Sequence, residues 1–383
     1  MISFKILKKS RKSRARLGLL RTPHGDIETP AFVPVATQAT VKALSSERVL
    51  ETGTQLLIAN TYHLHLRPNE KIIAAHGGLH DFMNWPRPLM TDSGGFQVFS
   101  FGFGKDLGTG KTLKKNPATW KPRFQVKKED QPKLLKIGED GVRFRSHIDG
   151  KELFIGPKES MRIQKALGAD IIFAFDECPP PQATREYMKR SMDKTHRWAK
   201  ISLKEHDPKQ ALFGIMQGGR FKDLRIESAR FIGALPFDGF GIGGEFGADK
   251  KEMSRMLGWV ADELPEQKPR HLLGVGYPED IELAVRAGMD TFDCITPTHY
   301  ARRGIAYTGK GMLDLMKRSF EKDKKPVDPA CACAVCKTYT RSYIHHLLRA
   351  REITPLELLT FHNLHFFNTK LREIQEKIKS GKL

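Results

Sequence analysis

The segment Thr291-Phe-Asp-Cys-Ile-Thr-Pro-Thr298 delivers one carboxylate, Asp293, at the end of a strand-like apolar run, ahead of the adjacent cations Arg302 and Arg303. A carboxylate so placed can attack carbon beside a polyanion, or it can be an ordinary cap or turn residue. A second carboxylate, Asp92, opens Asp-Ser-Gly-Gly-Phe-Gln97. The two glycines let the backbone turn sharply and come close to a planar ligand. Asp92 can then trade a proton with that ligand or accept from a ring nitrogen. Asp176, Gln217 and the backbone of Gly243 and Gly244 supply an acceptor, a mixed donor and acceptor, and amide donors. That set complements a guanine edge, which shows N–H donors beside a carbonyl. The plainer alternative is three capping residues after three strands.

A third chemistry is metal ligation. Three of the five cysteines, Cys331, Cys333 and Cys336, fall within six residues. In a cytoplasmic chain such a cluster reads as a metal site rather than as disulfides. Structural zinc takes four N or S ligands, so a histidine must be brought in by folding. His362, which opens an apolar helical patch, is the preferred fourth ligand, and His365 is the alternative. Such a closed Cys3His site is structural and says nothing about a reaction.

Positioning these groups requires a scaffold, and the chain repeats one. Apolar runs at 31–35, 55–59, 88–90, 171–175, 212–216, 239–243, 272–275 and 290–292 alternate with helical patterns at 43–51, 158–167, 184–205, 221–232, 250–263 and 281–287. Strands alternating with helices predict a parallel α/β fold, and about eight such units predict a (β/α)8 TIM-like barrel. In such barrels the active site gathers at the C-terminal ends of the strands, which is where the polar motifs fall. Residues 10–30 predict a hairpin at an N-terminal edge. The stretch 102–138 is lysine-rich and punctuated by Gly and Pro, and predicts a loop insertion. Its Gly110-Lys-Thr is no phosphate loop, because Lys105 stands where the first glycine of the frame belongs. The division expected is a barrel at 1–317, an inserted zinc-binding subdomain at 318–370 and a helical tail at 371–383.

Lys and Arg number 64 against 44 Asp and Glu, giving a formal charge of +20 over 383 residues. That excess favours a polyanionic partner, here nucleic acid. No apolar run approaches the roughly 18 residues of a membrane helix, so no membrane partner is expected. The basic N-terminus lacks a long apolar core, which predicts a cytoplasmic protein.

Asp92-Ser-Gly-Gly-Phe-Gln, Asp176-Glu-Cys-Pro, Gly214-Ile-Met-Gln-Gly-Gly, Gly274-Val-Gly and Phe292-Asp-Cys-Ile-Thr-Pro-Thr occur in a fixed order, with Asn60-Thr-Tyr-His-Leu and the cysteine loop. As a set they closely resemble the bacterial type of tRNA-guanine transglycosylase, from about residue 12 to residue 370. The resemblance implies exchange of the wobble guanine of GUN-anticodon tRNAs for a 7-deazaguanine on the queuosine route. It implies Asp293 as nucleophile at the ribose anomeric carbon and Asp92 as general acid and base. Asp176, Gln217 and Gly244 would grip the base edge, Phe96 would stack on its face, and His299, Arg302 and Arg303 would meet the RNA.

Three segments depart from the family pattern: Glu245-Phe-Gly-Ala-Asp after the double glycine, His299-Tyr-Ala-Arg302 where Arg-x-x-Arg is usual, and the 102–138 insertion, which is longer than expected. A carboxylate at Glu245 would suit the ammonium of preQ1, so preQ1 is the expected incoming base, with queuine as the alternative. Tyr343-Ile-His-His-Leu-Leu resembles a homodimer interface segment. One rival function is a non-catalytic zinc-containing RNA-binding protein on the same barrel. Another is a metal-dependent hydrolase, for which His63 and His65 lack further clustered ligands.

Overall fold

The computed structural model describes residues 2–96, 135–146, 148–244, 246 and 249–383. Its centre is a barrel of eight parallel strands: β1 (Ala31–Pro34), β2 (Leu57–Ala59), β3 (Leu89–Thr91), β4 (Ile171–Phe173), β5 (Ala211–Met216), β6 (Gly239–Ile242), β7 (Arg270–Leu272) and β8 (Thr291–Cys294). From β2 to β8 each strand pairs with the next, and β8 pairs with β1 through Thr291 opposite Ala31 and Asp293 opposite Val33. A parallel bridge from Val35 to Ile58 joins β1 to β2, closing the (β/α)8 barrel that the sequence predicts. Strand β7 lies earlier than its expected run, because it begins with two polar residues, Arg270 and His271.

Parallel barrel strands are buried on both faces, which is why they read as continuous apolar runs. One set of side chains, including Val33, Ile58, Met90, Ile171, Phe173, Phe213 and Ile215, packs together inside, with Leu20 and Ile27 of the N-terminal sheet against it. The opposite faces, including Phe32, Leu57, Leu212, Phe240 and Phe292, pack under the helices. Helix starts follow local chemistry. Thr184 caps Arg185–Glu205 by accepting from the Tyr187 N–H, and Asp249 caps Lys250–Ala261 by accepting from the Glu252 N–H.

The N-terminal hairpin expected at 10–30 is a three-stranded antiparallel sheet, Ser3–Lys9, Arg16–Thr22 and Gly25–Thr29. The expected insertion lies outside the described residues up to position 134. Beyond it, Leu135–Ile137 opens an antiparallel meander with Val142–Arg145 and Glu152–Ile155, so its last residues are strand rather than loop.

The helix Thr354–Lys379 is 26 residues long and runs unbroken through the boundary drawn at 370. It is the barrel's eighth helix. Arg48 of the first helix, Ser46–Glu51, meets its Glu357 at 3.3 Å, and Glu282 of the seventh, Pro278–Arg286, meets its Lys377 at 2.8 Å. Asn368 donates to the Thr52 carbonyl and Gln375 to the Pro30 carbonyl. The cysteine segment is therefore inserted between β8 and the helix that completes its unit.

Candidate active site and metal centre

The polar motifs occupy one end of the barrel. Asp92 follows β3, Asp176 lies three residues past β4, Gln217 follows β5, Gly243 and Gly244 follow β6, Gly274 lies two residues past β7, and Asp293 sits within β8. The fold thus gathers at the C-terminal rim the residues singled out as acid, base-edge partners and nucleophile.

Asp293 is partly exposed at this rim. Its Oδ1 accepts the Gly274 N–H at 2.8 Å and faces His271 Nε2 at 3.2 Å. His271 is fully buried, and its Nδ1 lies 2.9 Å from the Thr291 hydroxyl. His271 precedes the apolar run expected at 272–275, and the sequence pattern gives it no task. The available signal was a histidine and an arginine side by side in a strand buried on both faces.

Asp92 is met by three N–H donors. Thr61 N–H and Gly94 N–H donate to Oδ1 at 2.9 and 3.1 Å, and the Asn60 amide donates to Oδ2. Asn60 belongs to a motif that sequence inspection noted without giving it a task. Phe96, half-buried, is the last described residue of this loop, and Gln97 lies outside the described residues.

Asp176 and Gln217 form one buried unit. The Gln217 amide donates to Asp176 Oδ2 at 2.7 Å, and the Ser93 hydroxyl donates to Oδ1 at 3.0 Å. Gln217 Oε1 is buried and has no hydrogen-bond partner among the described residues. A buried acceptor left unmatched costs free energy until a donor arrives. The double glycine is required there. A Cβ on Gly244 would come within 2.9 Å of Gln217 Oε1, and its φ is +86°. Arg225, fully buried, donates to the carbonyls of Gly219 and Gly243 at 2.7 and 2.8 Å and ties the two glycine loops together. No pattern in the sequence marks Arg225 for that task. Glu245, on which the choice of incoming base was argued, lies outside the described residues.

Past β8, the short helix Thr296–Ala301 carries His299, half-buried, and leads to half-buried Arg302 and exposed Arg303. Burial, then the charges of Arg303, Arg302 and Lys42, hold the His299 imidazole below its ordinary value. Four basic residues thus lie close enough to influence one another beside the strand of Asp293.

The three thiols and His362 present ligand atoms that all lie within 4.8 Å of one another. His362 Nδ1 is 3.5 Å from Cys333 Sγ and 3.3 Å from Cys336 Sγ. A tetrahedral zinc with bonds of about 2.0–2.3 Å sets sulfur and nitrogen about 3.5 Å apart, so the donor set fits. His362 Nε2 donates to the Tyr307 carbonyl at 2.7 Å, which leaves Nδ1 as the ligating atom. Asp328 N–H and Cys336 N–H donate to Cys336 Sγ and Cys333 Sγ, as suits thiolates. His365, the alternative, lies 3.7 Å from Cys331 Sγ and is not part of the four-ligand group. The cluster can bind a metal ion. Among the described residues no helix is long and apolar enough to cross a membrane.

Comparison with known proteins agrees with this geometry. A family model described as queuine tRNA-ribosyltransferase matches residues 10–383. A queuine tRNA-ribosyltransferase of Natranaerobius thermophilus is 46% identical, over 98% of this chain and 95% of its own length. Those of Halothermothrix orenii and Bacillus subtilis are 44% and 43% identical over all of this chain and 95% and 93% of theirs. The chain belongs to the queuine tRNA-ribosyltransferase family, a family of pentosyltransferase enzymes.

Proposed function

We propose that this enzyme exchanges the wobble guanine of GUN-anticodon tRNAs for a 7-deazaguanine base, through a covalent ribosyl-aspartate intermediate. The carrying observation is the rim itself: a carboxylate fixed by Gly274 and His271 stands on the same barrel end as a buried Asp176–Gln217 pair with an unmatched acceptor. Asp293 attacks C1′ of the ribose, the C1′–N9 bond breaks, and its electron pair leaves with guanine. The departing base takes a proton from the Asp92 carboxyl. Asn60, Thr61 and Gly94 then hold the resulting carboxylate. In the second displacement N9 of the entering base bonds to C1′, its proton passes to Asp92, and Asp293 is released. Two displacements retain configuration and never cut the RNA chain.

Asp176, Gln217 and Gly244 would read the base edge, and Phe96 would stack on its face. Arg302, Arg303 and His299 would meet phosphates. Zinc in the Cys331, Cys333, Cys336 and His362 site would fix the inserted segment, with no part in the chemistry. We further propose preQ1 as incoming base, a homodimer, and a cytoplasmic location. The test is incorporation of labelled guanine into an unmodified GUN-anticodon tRNA, with preQ1 and queuine as competitors. Labelled guanine should enter, preQ1 should compete, and a covalent RNA–protein adduct should survive denaturing electrophoresis. No incorporation by folded protein would sink the assignment, and competition by queuine alone would overturn the choice of base.

A further inference from the structure

We propose that His271 is a positioning residue for the departure of Asp293 in the second displacement. This rests on the base-exchange reading above. Thr291 and Asp293 lie two residues apart on β8, so their side chains share a face. Thr291 is in register with His271 on β7, and Asp293 with Val33, an interior residue of β1. The three polar side chains therefore stand together inside the barrel, with the His271 ring tilted against Phe173 at 5.4 Å between centroids.

Hydrogen-bond logic fixes the direction of this chain. An ionised Asp293 only accepts, so His271 Nε2 carries the proton that faces Oδ1. In a neutral ring Nδ1 is then the acceptor, and the Thr291 hydroxyl donates to it. Thr291 is buried at 1% exposure and His271 at 0%, so neither is the reacting group, and this is not a hydrolytic triad run in reverse. The chain ends on the carboxylate at the rim. Oδ1 accepts the Gly274 N–H and faces His271, and Oδ2 is taken as the oxygen that bonds C1′. In the ester, Oδ1 is the carbonyl oxygen.

The consequence is asymmetric between the two half-reactions. A donor bonds a carboxylate about twice as strongly as a neutral acceptor. When Asp293 attacks, it loses charge, so the Nε2–H both orients it and resists the change. When N9 of the entering base bonds to C1′, the C1′–Oδ2 bond breaks and its electron pair returns to the carboxylate. The Nε2–H now strengthens as charge develops, and its proton stays on His271 throughout. A group that only filled space would slow both halves alike.

The test follows the trapped adduct. Wild type, His271→Phe, His271→Gln and Thr291→Val are each loaded with tRNA, and adduct decay is followed on denaturing gels after adding a 7-deazaguanine base. Decay in His271→Phe should slow on the order of 100-fold, as for loss of one preorganised donor. Formation should slow less, so the steady-state adduct fraction rises. Thr291→Val should shift in the same direction by a smaller factor, and His271→Gln should restore part of the decay rate. Equal slowing of both steps, or an unchanged decay rate, would overturn the proposal. If His271→Phe does not fold, Thr291→Val and His271→Gln carry the same comparison. No adduct with wild type would remove the covalent reading itself, which is a different failure.

Discussion

At the foot of β8, Asp290 is fully buried and takes both oxygens to the Arg16 guanidinium at 2.9 and 2.6 Å, with the Arg270 N–H at 2.7 Å. Three residues further, Asp293 is held by a glycine N–H and a histidine. Strand β4 repeats the contrast. Asp170 below it faces His24 and His80 at 2.7 and 3.2 Å, while Asp176 above it is met by the Gln217 amide and the Ser93 hydroxyl. At the foot, side chains able to carry positive charge fix the barrel to its N-terminal sheet. At the rim, backbone and side-chain amides, a hydroxyl and an imidazole orient the carboxylates.

Asp293→Ala tests this contrast most severely. Exchange should fall by roughly 10⁴-fold or more, as when a nucleophile is removed, with thermal stability close to wild type. A large stability loss would show that the rim, too, is held by its carboxylates. Asp290→Ala should do the reverse, since it leaves Arg16 buried without its counter-charge, at a cost of about 3–5 kcal/mol. Denaturant melts measure that loss, and the folded fraction should turn over normally. If folded Asp290→Ala protein were inactive, foot and rim would not be separable.

Gly244→Ala places a methyl 2.9 Å from Gln217 Oε1 at a φ of +86°. Its strain predicts about a tenfold loss in kcat/KM for the incoming base. Titration with the base checks this, and unchanged base kinetics would detach Gly244 from the base edge.

The smallest effect is a pH slope. Burial pushes the His196 imidazole down to about 4, and His196 faces Ser228, whose hydroxyl accepts the Gln217 N–H. The unfolded chain then binds the proton first, so stability present above about pH 6.5 is lost as pH falls toward 4. The loss should be about 1 kcal/mol between pH 7 and 5.5. His196→Phe should flatten that slope in denaturant melts, and an unaltered slope would assign it to another group.

Much of this was legible because barrel strands announce themselves twice, as apolar runs and as the polar turns that end them. Asp92, Asp176, Gln217 and Asp293 each stand just where such a run gives way, and the fold gathers them on one rim. What escaped was anything that acts across strands. His271 serves Asp293 from the neighbouring strand, and Arg225 reaches two loops from a helix; no local spacing records either partnership. Leu135–Ile137 was hidden for a different reason. It is three residues long, follows a lysine-rich tract, and becomes a strand only by pairing with Val142–Arg145.

The eighth helix has a consequence for synthesis. A chain leaving the ribosome N-terminus first presents all eight strands and seven of their helices before Thr354 appears. Until then the seam between the first and seventh helices is bare, and the three cysteines lack His362. The same 26-residue helix supplies the missing ligand and the missing wall. Its Asn363 then clamps the Tyr307 N–H and the carbonyls of Pro297 and Ile305, fastening the metal loop to the segment behind β8. Assembly of the sulfur–histidine cluster and sealing of the helical shell are thus one event, and it waits until Thr354–Lys379 has been made.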